Sequence, residues 1–397
     1  MAVSPKAPSK RRGCVVDASS QADTRPVGCD ASAPFEGEAF AKAADSLVRT
    51  WKSGHAAVAL SGGADSAILA VVADHVARQR GCELLLLHVN HGLLPQAQAW
   101  VAQVQDLARQ LARPIDILEV DVGSLSGRGM EAAARDARYS ALLAACERHG
   151  VSSLLLAHHQ DDQAETVLLR LLRGAGVAGL AAMAPSVFRG KVQLLRPWLN
   201  VPRIHILELA QSFAQRTGWH AVSDPTNTDA RYTRAAVRTR LTPVLNERWP
   251  GWQAILGRHA RQAQEAASIL QEVADSDLAA IVVPGDGSPD VNGSLDVNSS
   301  SVVNGSPDVD GPATAKAGRP FSLAAWRRLS EPRQRNVLRH WLAKAGARMP
   351  SEARLRDLQR QLNQLHSLGH DRNLVFDHSE LRVRCVRGIV MIEARSE

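Results

Sequence analysis

The sequence predicts an α/β fold: a doubly wound parallel sheet followed by a second, mainly helical domain. Three observations carry that prediction. From about residue 40 to 200, short continuous apolar runs alternate with helix-sized segments. Such runs are characteristic of strands buried on both faces, and crossovers of that length are characteristic of helices. Beyond about residue 203 the apolar positions recur mostly at helical spacing. The charge also changes in blocks. Residues 1–188 are nearly balanced, 189–261 carry 12 basic against 4 acidic side chains, 262–318 carry 1 against 9, and 319–397 carry 16 against 8.

The elements are taken in chain order. Residues 1–38 are rich in Ser, Ala, Pro and Asp without periodicity and read as a disordered tail. Strands are predicted at AAVAL (56–60), ELLLLHV (83–89), IDILEVDV (115–122), SSLLLAH (152–158) and VQLLRPW (192–198). Helices are predicted at about 65–79, 95–111, 130–149 and 161–173. The first domain is placed at 39–220; its last helix closes on Gly218, the residue type favoured just past a helix end. The second domain is placed at 221–397, with helical pattern at 252–281, 321–346 and 351–369 and a terminal pair or trio of strands within 374–394. It is interrupted by a linker at 284–318 holding GSPDVN, GSLDVN, SSSVVN and GSPDVD (287–310). Four imperfect hexads without a bulky apolar residue cannot build a core, so a solvated linker is favoured over a calcium-binding β-helix.

Composition excludes several classes. With 397 residues, 45% hydrophobic and 22% charged, the chain is neither wholly disordered nor collagen-like. No apolar run reaches the roughly 18–20 residues that span a bilayer, and the basic N-terminus lacks the apolar stretch of a secretory signal. The five cysteines (Cys14, Cys29, Cys82, Cys146, Cys385) form no CxxC pair, which argues against a disulfide framework, a zinc ribbon or a cysteine-held cluster. A reducing cytoplasm and no membrane partner are expected. Net charge is +7, and the basic blocks suit a polyanion, nucleic acid first; the alternative is a set of solvated helix faces.

The most informative segment is VALSGGADSAILA (58–70), an apolar strand running through two glycines into a helix. Glycines let backbone approach a ligand closely, and the helix start presents free N–H groups and positive dipole. A phosphate cradle is therefore expected from Ser61, Gly62, Gly63, Ala64, Asp65 and Ser66, the alternative being a plain strand-to-helix turn. There is no Walker A pattern, and the GAGVAG at 174–179 follows a helix rather than a strand, so no dinucleotide site is read there. A second cluster, AHHQDDQAET (157–166), places His158, His159, Asp161, Asp162 and Glu165 at the end of the fourth strand. Asp162 and Glu165 are three apart and share a helix face. Helix capping accounts for part of this acidity. A hydrolase-like metal site from His88, His91, His158, His159 and Asp162 is a further alternative, one that leaves SGGADS unexplained.

SGGADS resembles the loop of the PP-loop ATP pyrophosphatases, which cleave ATP between the α and β phosphates. With HVNHGL (88–93), MEAAARDARY (130–139), AHHQDDQAET, RPWL (196–199) and DPTNTDARYTRAAVR (224–238), the stretch of about 55–240 resembles the tRNA(Ile)-lysidine synthase family. The resemblance implies a PP-loop domain at 39–220 and a tRNA-binding domain at 221–397. It implies ATP and Mg²⁺, free L-lysine, and the CAU-anticodon isoleucine tRNA. ATP adenylates the carbon-2 oxygen of the wobble cytidine, and lysine then displaces AMP. By the same resemblance, Asp162, Glu165 and His158 bind or activate lysine, and Asp65 and Asp161 hold Mg²⁺. Glu131, Arg135, Arg138, Arg173, Arg234 and Arg238 contact nucleotide or tRNA. Glu131–Arg135 is also an ordinary i,i+4 helix pair. The sequence departs from the family pattern at Leu94 (usually Arg), Thr226 (usually Ser) and Ala235 (usually Asn). With 79 residues after the linker, a full extra C-terminal domain of the kind longer members carry is not expected. The alternatives are a tRNA thiolase, which needs reactive cysteines; another synthetase sharing the loop, which leaves the basic blocks idle; and a non-catalytic RNA-binding protein.

The linker yields a first prediction. Deleting 287–310 should leave the melting temperature and tRNA affinity nearly unchanged. A large loss of affinity in a filter-binding assay, or calcium-dependent stabilisation of the intact chain, would show that the repeat has a role.

Overall fold

A computed structural model describes residues 15–16, 37–90, 97–120, 130–222, 233–283, 319–365, 374–378 and 380–395. The linker, most of the N-terminal segment, His91–Leu94 and the DPTNTDAR stretch lie outside the described residues. The chain divides into two units, Met1–Arg261 and Gln262–Glu397.

The first unit opens with β1 (Val15–Val16) and α1 (Glu38–Thr50). Strand and helix then alternate: β2 (Ala56–Ala59), α2 (Ala64–Arg80), β3 (Leu84–Asn90), α3 (Ala97–Leu111), β4 (Ile115–Glu119), α4 (Met130–Arg148), β5 (Ser153–Leu155) and α5 (Gln160–Leu172). After these come α6 (Val177–Leu180), β6 (Ser186–Arg189), β7 (Val192–Leu195) and α7 (Arg203–Thr217). The last elements before the boundary are α8 (Thr233–Ala236), a π turn over Val237–Leu241 and α9 (Thr242–Arg248). Helix α10 (Trp252–Ile281) begins in the first unit and ends in the second.

The sheet order is β1-β4-β3-β2-β5-β7-β6. The inner strands pair in parallel, with Val58 opposite both Leu86 and Leu155, while β1 and β6 add antiparallel edges. Alternate side chains leave opposite faces of each strand. Val58, Leu84, Leu86, Leu155 and Leu195 join a core with α1, α2, α3 and α7. Ala57, Leu85, Leu87, Leu154 and Leu194 join a second core with Leu142, Ala145 and Cys146 of α4. Helices thus cover both faces, which is why these strands read as unbroken apolar runs.

Two expectations are corrected. The segment read as a tail contributes Val15–Val16 as an edge strand on β4. The division falls at 261/262 rather than 220/221, because the polypeptide after 220 is tied back to α5. Arg234 and Arg238 bond to side chains of α5, and Ala260 is buried against Val167 and Ala182.

The second unit holds α11 (Leu323–Arg327), α12 (Glu331–Lys344) and α13 (Glu352–Gln364). Its antiparallel sheet has the order β8-β11-β10-β9, formed by Phe321–Ser322, Ile389–Ala394, Leu381–Val386 and Leu374–His378. The segment expected to form a terminal pair or trio of strands forms three, and β8 makes a fourth. Trp326, Trp341, Phe321, Leu338 and Leu358 fill its core.

Asp74 of α2 is buried and accepts from Arg78 Nε at 2.9 Å and from Arg113 Nε at 2.6 Å, clamping α2 to the end of α3. Asp74→Ala strands two guanidinium groups and should cost about 1–3 kcal/mol. An unchanged melting temperature in a thermal denaturation scan would contradict that role.

Candidate active site

The order of the sheet reverses at β2: β3 and β4 lie to one side, β5 and β7 to the other. Open α/β sheets bind ligands where the order reverses, beyond the strand C-termini. Both motifs singled out from the sequence leave the sheet there, SGGADS after β2 and AHHQDD after β5, on neighbouring strands.

Gly62 has φ +89°, and a Cβ on it would come within 3.2 Å of Val222 and 3.3 Å of Val104. Its carbonyl accepts from Val222 N at 2.9 Å. The loop is braced internally: Ser66 Oγ accepts from Ser61 N at 3.0 Å, lies 2.9 Å from Ser61 Oγ and donates to Gly63 O. Gly63 caps α2 with no side-chain bond to the helix end, which leaves the first-turn N–H groups available to an anion. The two serines therefore hold the cradle's shape, and the helix end supplies the positive field.

His159 is the N-cap of α5. Its Nδ1 accepts from Asp162 N at 3.3 Å, and Asp162 Oδ2 accepts from His159 N at 3.2 Å, a reciprocal capping box. Capping is thus one function of Asp162. A second involves its other oxygen, Oδ1, which accepts from Arg238 Nη2 at 2.8 Å; Arg238 Nε donates to Glu165 Oε1 at 2.7 Å. Arg234 lies 3.7 Å from Glu165 Oε2 and donates to Thr166 Oγ1 at 3.0 Å. Glu165 is 4% exposed, and its Oε2 makes no hydrogen bond among the described residues.

Protonation follows from these surroundings. Burial pushes the Glu165 carboxyl above its ordinary value, despite the opposing pull of Arg238. Burial also pushes Asp162 upward, but His159, Arg234 and Arg238 together hold it below the usual carboxylate range. His158 is driven down to about 3 by burial and by the Arg196 charge; it is neutral, and its enclosed Nδ1 has no hydrogen-bond partner among the described residues.

Asp65 accepts from Arg203 Nε and Nη2, both at 3.3 Å, and Asp161 accepts from Arg203 N at 3.0 Å. Both carboxylates lie 3.8 Å from the His159 ring nitrogens. Two partly exposed oxygen donors beside the phosphate loop suit a hard divalent cation, which Mg²⁺-type sites bind through one or two carboxylates plus phosphates.

The expected residues divide accordingly. Ser61 to Ser66, Asp161, Asp162, Glu165, His158, Arg234 and Arg238 gather at the strand ends. Arg135 is near enough for its charge to help depress His158, and it stacks over Tyr139 at 5.6 Å. Arg138 is exposed, and the Glu131 side chain lies outside the described ones. Arg173 caps the far end of α5; eleven residues from Asp162 is about 16 Å along a helix, which separates it from the cluster. The described members of the hydrolase-like metal set do not come together, and His91 lies outside the described residues. Among the described residues no group of three or more His, Cys, Asp or Glu is placed to hold a metal, and His88 Nδ1 is bonded to Leu60 O at 2.8 Å. Arg203 carries no signal in its local sequence, and Arg196 stands in the RPWL motif without an assigned role; only the fold brings them to Asp65 and His158.

A family model described as PP-loop domain matches residues 37–245, and one described as TilS substrate binding domain matches 321–390. The tRNA(Ile)-lysidine synthase of Bordetella pertussis is 54% identical over 337 residues, covering 85% of this chain and 95% of that protein. The chain belongs to the tRNA(Ile)-lysidine synthase family. The enzyme of that name from Ralstonia nicotianae is 44% identical over 308 residues, covering 77% of this chain and 58% of that protein. The one from Polaromonas naphthalenivorans is 37% identical over 313 residues, covering 79% of this chain and 82% of that protein. Of the family departures noted in the sequence, Ala235 is buried, and Leu94 and Thr226 lie outside the described residues.

The two loop glycines should behave differently. Gly62→Ala forces a side chain into a left-handed backbone against two valines, at about 1–3 kcal/mol, and should lose ATP binding. Gly63→Ala, where a Cβ meets only Ser61 Oγ at 3.6 Å, should fold normally. Equal melting temperatures and equal ATP affinity by calorimetry for both would contradict this geometry.

Proposed function

We propose that this chain converts the wobble cytidine of the CAU-anticodon isoleucine tRNA to lysidine, using ATP and free L-lysine. The observation that carries the proposal is the placing of a buried acidic pair, Asp162 and Glu165, beside the phosphate loop at the sheet's switch point. Family membership supports the reaction; the geometry supports the roles given to individual residues. Free lysine and tRNA are cytoplasmic substrates, and the chain is taken to act there. No helix among the described residues is long and apolar enough to cross a membrane.

The carbon-2 oxygen of cytosine is a poor leaving group. It attacks the α-phosphorus of ATP, pyrophosphate departs, and the adenylated oxygen can then leave as AMP. The α2 N-terminus and the Ser61–Ser66 loop receive the phosphates. Asp65 and Asp161 would hold Mg²⁺, which neutralises charge on phosphate oxygens. Lysine arrives as an ammonium ion with an unperturbed pKa of about 10.4 and must lose a proton before its nitrogen attacks carbon 2. Asp162, kept ionised, fits the role of anchoring the ammonium. Glu165, with its raised pKa and an Oε2 free of hydrogen bonds among the described residues, fits that of proton acceptor. Neutral His158 fits a place beside the lysine site without adding a competing charge. Arg234 and Arg238 are the candidate contacts to tRNA phosphate, together with Arg135.

The thiolase alternative is not favoured. Cys146 is buried in the core under α4 with its thiol pushed up to about 12, which leaves no thiolate for sulfur transfer. Cys385 is likewise buried and raised.

The two half-reactions should separate in variants. Asp162→Asn and Glu165→Gln keep size and hydrogen bonding but remove charge. Each should still adenylate tRNA from labelled ATP, yet need about ten- to a hundredfold more lysine to form product. Equal loss of both half-reactions, with rescue by raised Mg²⁺, would reassign the pair to metal binding. Unchanged lysine saturation would defeat the assignment.

A further inference from the structure

In the structure the acidic pair is already occupied by a cation of the protein's own. Arg238 spans it, with Nη2 on Asp162 Oδ1 at 2.8 Å and Nε on Glu165 Oε1 at 2.7 Å, and Arg234 stands 3.7 Å from the remaining Glu165 oxygen. Two buried carboxylates therefore face two guanidinium groups, leaving no net charge to draw in an ammonium ion. A fork of two N–H donors on two carboxylates is also a better match than a single ammonium. Arg238 and lysine cannot use the same oxygens together.

We propose that Arg238 is a selectivity residue that keeps the lysine site closed until tRNA draws it away, so that lysine binding is conditional on RNA. This rests on the assignment of Asp162 and Glu165 to lysine. Two further observations support it. Arg238 sits in a π turn (Val237–Leu241), a one-residue irregularity that often marks functional positions. Shifting that turn by one residue into α geometry rotates a side chain by about 100°, enough to swing a guanidinium off the pair. The surrounding segment, 233–261, carries six arginines against the single carboxylate of Glu247, and Arg240, Arg248 and Arg258 are exposed. A phosphate backbone docking on this segment offers Arg238 a competing anion outside the acidic pair. The arrangement orders the chemistry: lysine does not enter beside ATP before the RNA to be modified is in place.

The test measures binding of labelled lysine to the full-length chain by equilibrium dialysis, with and without saturating tRNA. Wild type should bind lysine about tenfold or more tighter with tRNA than without, and lysine should tighten tRNA by the same factor. Arg238→Gln should bind lysine without tRNA at least about tenfold tighter than wild type, with little further gain from tRNA. Arg238→Lys, which places one ammonium on the pair, should fall between them. The wild-type coupling is read without any variant, so loss of folding in Arg238→Gln does not spare the proposal. Wild-type lysine affinity indifferent to tRNA would overturn it, as would a folded Arg238→Gln that binds lysine no better than wild type. Absence of lysine binding under every condition would instead overturn the lysine assignment beneath it.

Discussion

Strand β2 is hydrogen-bonded in parallel on both sides, to β3 and to β5. A parallel ladder obliges every strand to end at the same edge, and each connection must cross back over a face of the sheet. From β2 the chain winds outward in one direction and later returns to place β5 on the other side. That reversal leaves a gap between the helices that leave the two strands. The phosphate loop and the acidic cluster open into this gap, so the rest of the site depends on this one topological constraint.

Within the gap, charge is arranged in two layers. Asp65, Asp161 and Arg203 form a partly exposed layer around the His159 ring, where solvent and phosphate can reach. Asp162 and Glu165 form an enclosed layer in which each carboxylate faces a partly exposed guanidinium, that of Arg238 or Arg234. Burial raises the cost of any unpaired charge, so the enclosed layer is the more sensitive of the two. His159 belongs to both: it caps α5, orders Asp162 and stands between the two partly exposed carboxylates. A residue that looks from sequence like a metal ligand thus acts as the hinge of the hydrogen-bond network.

The segment from 233 to 261 belongs to the catalytic unit by contact, although its basic composition matches that of residues 319–397 in the second unit. Its arginines answer carboxylates on α5, and Ala260 closes the apolar patch at Val167 and Ala182. The same guanidinium groups that balance the buried acids also form part of the basic surface. Under the proposed function, this dual service suits the arginines to couple RNA binding to the acidic pair.

Unbroken apolar runs separated by helix-length crossovers, which burial on both sheet faces produces, made β2 to β5 and β7 legible in the sequence together with α2 to α5 and α7, but not α1, α6, β6, α8 or α9. The glycine turn between β2 and α2, proposed above as the phosphate loop, was legible too, and Gly62 does need its left-handed backbone. Local pattern could not show the two-residue edge strand β1, which is too short to have a period, or the unit boundary at 261/262, which is set by long-range contacts. Nor could it show that Arg203 reaches Asp65 across 138 positions or that Arg238 reaches Glu165 across 73. Spacing along one helix brings Asp162 and Glu165 to one face, but which cation meets them is decided by elements distant in sequence. Electrostatic partnership depends on distance in space, and only the tertiary structure sets that distance.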